Sequence, residues 1–128
     1  MRILLDTHIA LWVVGPEGKL KGDARSLILD ATNDVYFSAA SIWEIAIKGA
    51  LRRRNFAADP QRVSQALLAS GFLELSITAA HASRVAALPP VHQDPFDRML
   101  VAQSQVEPMT FLTLDALLAR YGSTVKVV

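Results

Sequence analysis

The chain has 128 residues, 52% of them hydrophobic, and a formal net charge of +1. That length fits one domain, residues 1–128, burying roughly two-thirds of its unfolded surface, and the apolar content excludes a disordered chain while leaving apolar surface for a partner. The absence of cysteine excludes disulfides, thiolate metal sites and cysteine nucleophiles and suits a reducing cytoplasm, and the near-zero charge excludes a global attraction to nucleic acid, so any such binding needs a local basic patch.

The N-terminus, Met-Arg-Ile-Leu-Leu-Asp-Thr-His, meets an acid too early for a signal peptide. No apolar run approaches the roughly 20 residues of a membrane span. A cytoplasmic protein is therefore expected. Arg2–Asp6 reads as a short buried strand, a continuous apolar run with a polar stop. Thr7–Val14 reads as a helix, broken by Gly15-Pro16-Glu17-Gly18. Trp12, Val13 and Val14 suit the core, or else a groove for a partner helix. Gly22–Ala31 is a second helix, with Leu27 and Ile28 three and four residues beyond Ala24. Val35–Ser38 is a second strand, and Ala39–Leu51 a helix followed by Arg52-Arg53-Arg54. Asp59-Pro60 supplies a cap and a proline at the first helical position, opening a helix to Ser70 that Gly71 ends. Phe72–Ile77 is a third strand and Thr78–Leu88 an alanine-rich helix stopped by Pro89-Pro90. Asp94-Pro95 repeats the cap-and-proline signature for a helix to Gln105. Thr110–Thr113 is a fourth strand, Asp115–Tyr121 a short helix ended by Gly122, and Val125–Val128 a final strand. Strands alternate with helices without a hairpin dipeptide between them, which predicts an α/β protein with a parallel sheet flanked by helices.

Four carboxylates sit where the chain is otherwise most apolar. Asp6 ends Ile3-Leu4-Leu5, Glu44 interrupts a helix rich in isoleucine, Asp97 opens Phe96-Asp-Arg-Met-Leu-Val-Ala, and Asp115 follows the fourth strand. Burying an unpaired charge is costly. Two like charges about 4 Å apart repel by roughly 4 kcal/mol at an effective dielectric near 20. Strand ends in open α/β sheets converge on one crevice, so these acids would need protons or a cation. Oxygen ligation without thiolates favours Mg²⁺ or Mn²⁺, ions that activate water and stabilise the leaving oxygen in phosphodiester cleavage. Each acid also has a purely structural role open to it. Asp6, Asp94 and Asp115 could cap helices, Asp97 could answer the helix dipole, and Glu44 with Lys48 could be a surface i,i+4 pair. Caps do not explain Glu44 among Ile42, Trp43, Ile45 and Ile47.

The ordered segments Leu5-Asp6-Thr7-His8, Ser38-Ala-Ala-Ser-Ile-Trp-Glu44-Ile-Ala-Ile-Lys48, Asp94-Pro-Phe-Asp97-Arg-Met-Leu-Val-Ala-Gln103 and Thr113-Leu-Asp115 resemble the signatures of PIN domains, and among them the VapC-type toxins of bacterial toxin–antitoxin pairs. The resemblance covers essentially the whole chain. It implies a three-layer α/β/α fold around a central, mostly parallel sheet of about five strands. It further implies metal-dependent endoribonuclease activity, a Mg²⁺ or Mn²⁺ cofactor, an RNA substrate, inhibition by a cognate antitoxin, and a homodimer. The family's acidic residues map onto Asp6, Glu44, Asp97 and Asp115, and Thr113 matches the hydroxyl residue that precedes the last acid.

Lys48 and Arg52–Arg54 form the dense basic cluster of the sequence. It is either a solvated helix end or a phosphate-steering patch that, with Thr113, would contact nucleic acid. His8 could reach the cleft or sit at the surface. His92 could touch substrate from the loop before Asp94, and His81 reads as structural. An alternative function is a catalytically inactive PIN scaffold that binds RNA or protein. A haloacid-dehalogenase-type phosphatase would need an aspartate where His8 stands, and a receiver domain would need one after the third strand, where Leu75-Ser76-Ile77 offers none.

Overall fold

The computed structural model describes residues 1–16, 19–51 and 56–128. Its strands are β1 (Arg2–Leu5), β2 (Asp34–Ser38), β3 (Leu73–Leu75), β4 (Thr110–Thr113) and β5 (Val125–Val127). Its helices are α1 (Thr7–Val14), α2 (Gly22–Leu29), α3 (Ala39–Ala50), α4 (Pro60–Ala69), α5 (Ala79–Val85) and α6 (Pro95–Val106), with a 3-10 helix at Ala116–Tyr121. The strands form one sheet in the order β3-β2-β1-β4-β5, and every pairing is parallel. Parallel neighbours need crossovers, and the helices that make them cover both faces of the sheet.

Alternation along the strands divides the core. Ile3, Leu5, Val35, Phe37 and Leu112 point to one face and pack with Ile9 of α1, Ile28 of α2, Ile45 of α3 and Leu67 of α4. Leu4 and Phe111 point to the other and pack with Leu100 and Val101 of α6 and Leu118 of the 3-10 helix. Strand side chains alternate faces with period two, so a run such as Ile3-Leu4-Leu5 is apolar throughout because both faces are covered. This is the three-layer α/β/α arrangement expected. No helix among the described residues is long and apolar enough to cross a membrane.

Several boundaries move for identifiable reasons. Helix α2 stops at Leu29, short of Ala31, because the Asp30 carboxylate turns back to accept the Thr32 N–H at 2.9 Å and its hydroxyl at 2.7 Å. Strand β3 covers Leu73–Leu75 and not Phe72–Ile77, since its one neighbour, β2, ends at Ser38 opposite Leu75 and leaves Ser76 nothing to pair with. Thr78 is the cap of α5 rather than its first residue, and beyond Val85 the chain continues through i−3 turns to Leu88. Asp115 likewise caps its helix from outside, and that helix is 3-10. Gly71 ends α4 as expected. At φ +92° it takes the left-handed conformation that lets the Phe72 N–H reach the Leu67 carbonyl at 3.1 Å.

Candidate active site

The sheet order reverses between β1 and β4, because the chain runs outward from β1 through β2 to β3 and then returns to the other side of β1. Crevices form at such switch points, beyond the carboxyl ends of the strands. Asp6 leaves β1 here. Its N–H still bonds the Leu112 carbonyl at 2.9 Å, and its extended backbone makes it the cap of α1, with Oδ1 accepting the His8 N–H at 2.8 Å. The Thr113 hydroxyl donates to Asp6 Oδ2 at 2.8 Å and accepts the Asp115 N–H at 3.1 Å. Thr113 therefore ties the two acids together. It is fully buried, which corrects its expected role: a hydroxyl inside the framework cannot touch nucleic acid.

Glu44 projects from α3 into the same crevice and is buried to 2%. The Thr7 hydroxyl donates to its Oε1 at 2.6 Å, and the Lys48 ammonium bonds its Oε2. The i,i+4 pair is thus real but lies inside the molecule. Lys48 also donates to Asp94 Oδ2 at 2.8 Å, and its ammonium stands over the rings of Phe56 and Phe96. Burial works against the ammonium, but the hydrogen bonds to Asp94 and Glu44 outweigh it and hold its pKa above the ordinary value. Asp94 caps α6, accepting from the N–H groups of Phe96 and Asp97. Burial would raise its carboxyl, and Lys48 with those N–H groups brings it below the usual range. Lys48, expected among the nucleic-acid contacts, is turned inward between two acids. Its companions Arg52, Arg53 and Arg54 lie outside the described residues.

Asp97 differs from the other three. Among the described residues its carboxylate accepts no hydrogen bond, and its nearest cationic candidate is His92 Nε2 at 3.7 Å. Burial, followed by the charges of Asp6, Asp94 and Glu44, pushes its pKa up to about 7, against a smaller opposing pull from His92. His92 completes this side. Its Nδ1 accepts the Asp94 N–H at 3.1 Å, which places the ring proton on Nε2, 3.0 Å from Asp115 Oδ2. His8 also faces the cleft, stacked edge-on against Phe56. Its ring Nδ1 lies 3.7 Å from Asp6 Oδ1, and its pKa is raised, first by this side-chain interaction with Asp6, although burial opposes it. His81 is structural, as read: it is buried, capped to Thr78 and bonded to Glu107. Trp12, Val13 and Val14 are half-buried, and Trp12 lines a separate groove beside Leu11 and Pro16.

Asp6, Glu44, Asp94, Asp97 and Asp115 together line one cleft of about 250 Å³, with Lys48 and His8 as the basic groups beside them. Single atoms of His92, Asp97 and Asp115 come within 4.8 Å of one another. A hard divalent cation fits this donor set, which is rich in carboxylate oxygen and free of thiols. The Asp97 carboxyl is raised first by burial and then by the neighbouring acids, and no lysine or arginine among the described residues pairs with it.

The model of the PIN domain family matches residues 3–123. This chain belongs to that family. Its fold is similar to that of solved structures of low sequence identity. One is VapBC2 from Rickettsia felis bound to a DNA fragment from its promoter: 14% identity, TM-score 0.71, covering 100% of this chain and 98% of that one. Another is VapC20 of Mycobacterium tuberculosis, described as a sarcin-ricin loop cleaving toxin, with 15% identity, TM-score 0.65 and coverage of 94% and 95%. A third is a toxin–antitoxin complex from Klebsiella pneumoniae, with 20% identity, TM-score 0.60 and coverage of 98% and 96%. Comparison with curated protein sequences gives no match. The sequence did not show two of the contacts around the cleft, Lys48 with Asp94 and His92 with Asp115. The Lys48–Asp94 bridge joins residues 46 positions apart, and no local pattern encodes it. The only sign of His92 was its place two residues before a helix cap.

Proposed function

We propose that this PIN domain is a Mg²⁺- or Mn²⁺-dependent endoribonuclease and the toxin of a toxin–antitoxin pair. The observation that carries the reading is the convergence of Asp6, Glu44, Asp97 and Asp115 on one open cleft at the switch point of the sheet. Asp6, Asp97 and Asp115 would hold the ion, with Glu44 as the fourth acid held by Thr7 and Lys48. When bound, a divalent cation lowers the pKa of water and offsets charge on the leaving oxygen of a phosphodiester. The chain's own groups prepare that chemistry. Thr113 and the His8 N–H fix the Asp6 carboxylate, Asp94 sets the start of α6 that carries Asp97, and the His92 N–H orients Asp115. Loss of the Asp97 proton makes its carboxylate available to the ion.

The toxin assignment is supported by neighbours of the same fold that are described as toxins or toxin–antitoxin complexes, and an RNA substrate by the one described as cleaving the sarcin-ricin loop. We further propose a protein antitoxin and a homodimer as partners. Trp43 and Ile47 on α3 and Leu51 at its C-cap, spaced i,i+4 and 56%, 43% and 63% exposed, support a protein contact. The test is cleavage of RNA by purified protein with Mg²⁺ or Mn²⁺, its loss on chelation, and its loss in Asp6→Asn and Asp97→Asn with the circular dichroism unchanged. Full activity in both variants overturns the reading.

A further inference from the structure

The five acids of the cleft do not have equivalent partners. Asp6 accepts from the His8 backbone N–H and the Thr113 hydroxyl, with the His8 imidazole further off at 3.7 Å. Asp115 accepts the Leu117 N–H and the His92 Nε2–H. The Asp97 carboxylate accepts no hydrogen bond among the described residues. Among the described residues, Glu44 and Asp94 are the acids of the cleft that bond a lysine or arginine, and they share the same one. Lys48 Nζ bonds Glu44 Oε2 on one side and Asp94 Oδ2 at 2.8 Å on the other. The remaining oxygens of that pair are engaged as well, Glu44 Oε1 by Thr7 and Asp94 Oδ1 by the N–H groups at the start of α6. The ammonium is held firmly. Its side chain is only 14% exposed, and it rests against Phe56 and Phe96. A Mg²⁺ ion sits about 2.1 Å from its oxygen ligands. An ion bridging Glu44 Oε2 and Asp94 Oδ2 would need the space that Nζ already fills.

We propose that Lys48 is the resident cation of one half of the cleft, so that the site takes a single divalent ion, on the Asp6–Asp97–Asp115 side. This rests on the metal-dependent reading given above and specifies its stoichiometry. Lys48 is a positioning residue in this scheme. It holds the Glu44 and Asp94 carboxylates in place without exogenous metal, and it bars a second ion from between them. Removing its charge while keeping its length converts the Glu44–Asp94 half into a second metal site.

The experiment is Mn²⁺ titration of the full chain by calorimetry, with electron paramagnetic resonance to detect spin coupling between neighbouring ions. Wild type is expected to bind one Mn²⁺ per chain with an uncoupled signal. Lys48→Met is expected to bind two, with a coupled signal and a larger Mn²⁺-induced rise in Tm than wild type. Lys48→Arg, and the double variant Lys48→Met with Asp94→Asn, are expected to return to one. Two ions in wild type, or one in Lys48→Met, overturn the inference. If Lys48→Met folds only when Mn²⁺ is added, the ions bound per refolded chain decide in the same way. No Mn²⁺ binding by folded wild type overturns the metal-dependent reading itself, and this inference with it.

Discussion

An imidazole–carboxylate pair stands beside each end of helix α6, supplied mostly by neighbouring elements, wired alike and set in opposite surroundings. Near its C-terminus, His81 Nδ1 accepts the Thr78 N–H at 3.0 Å and Nε2 faces Glu107 at 2.6 Å. Near its N-terminus, His92 Nδ1 accepts the Asp94 N–H at 3.1 Å and Nε2 faces Asp115 at 3.0 Å. The first pair sits in a closed network. Gln103, fully buried, accepts the Ser38 hydroxyl at 2.6 Å and donates to the Ser76 carbonyl. One acid meets one imidazole there. The second pair shares its surroundings with four further acids. The helix dipole favours acids at this end, but it does not offset their mutual repulsion, and Asp97 shows the imbalance. The same hydrogen-bonding pattern thus serves as a structural clamp where one acid stands by itself and lines an open cleft where five acids crowd together.

The sharpest way to separate the two ends is to neutralise Asp97. Asp97→Asn is expected to lower RNA cleavage by on the order of 10²–10³-fold, the scale for losing one charge-stabilising group, yet to raise the Tm of the metal-free protein by relieving repulsion. A lower metal-free Tm would show that the N-terminal end is as balanced as the other. Added Mn²⁺ should stabilise the wild type by about 2.7 kcal/mol at a concentration 100 times its Kd, an effect that chelation reverses and Asp97→Asn diminishes. Thermal melts against Mn²⁺ concentration measure it.

The other end should answer to packing and hydrogen bonds alone. Gln103→Leu strands the Ser38 hydroxyl and the Ser76 carbonyl, and it should cost about 2 kcal/mol in urea unfolding with cleavage at saturating metal nearly unchanged. Smaller still is the pH response. The Asp97 pKa lies near 7 in the fold against 3.8 ordinarily. Between those values the folded chain holds a proton that the unfolded chain has released, so metal-free stability falls as pH rises from about 4 to 7 and levels off above. On the order of 1–2 kcal/mol is expected after allowance for solvent screening, and Asp97→Asn should flatten the slope. At the bottom of the scale, Arg84→Ala removes an exposed bond to Gln105 and should shift stability by no more than about 0.5 kcal/mol.

Local chemistry made much of the fold legible. Asp59-Pro60 and Asp94-Pro95 open α4 and α6 where cap and proline geometry require, and Gly71 closes α4 through its positive φ. The strand cores followed from apolar runs, whereas their ends depended on partners: β3 stops where β2 stops. The four acids were visible because each interrupts an apolar context. Their capping roles and their convergence are both present, since Asp6 and Asp115 cap helices and line the cleft at once.

The sequence by itself determined which residues are acidic, which helices they open and that strands alternate with helices, because capping, proline geometry and period-two burial act within a few residues. Only the tertiary structure decided how the charges are shared. The strand order brings Asp6 beside Thr113, 107 positions away, and sets Lys48 against Asp94. Coulomb energies depend on distances through space, so Glu44 became a compensated acid and Asp97 an uncompensated one although both interrupt apolar helices.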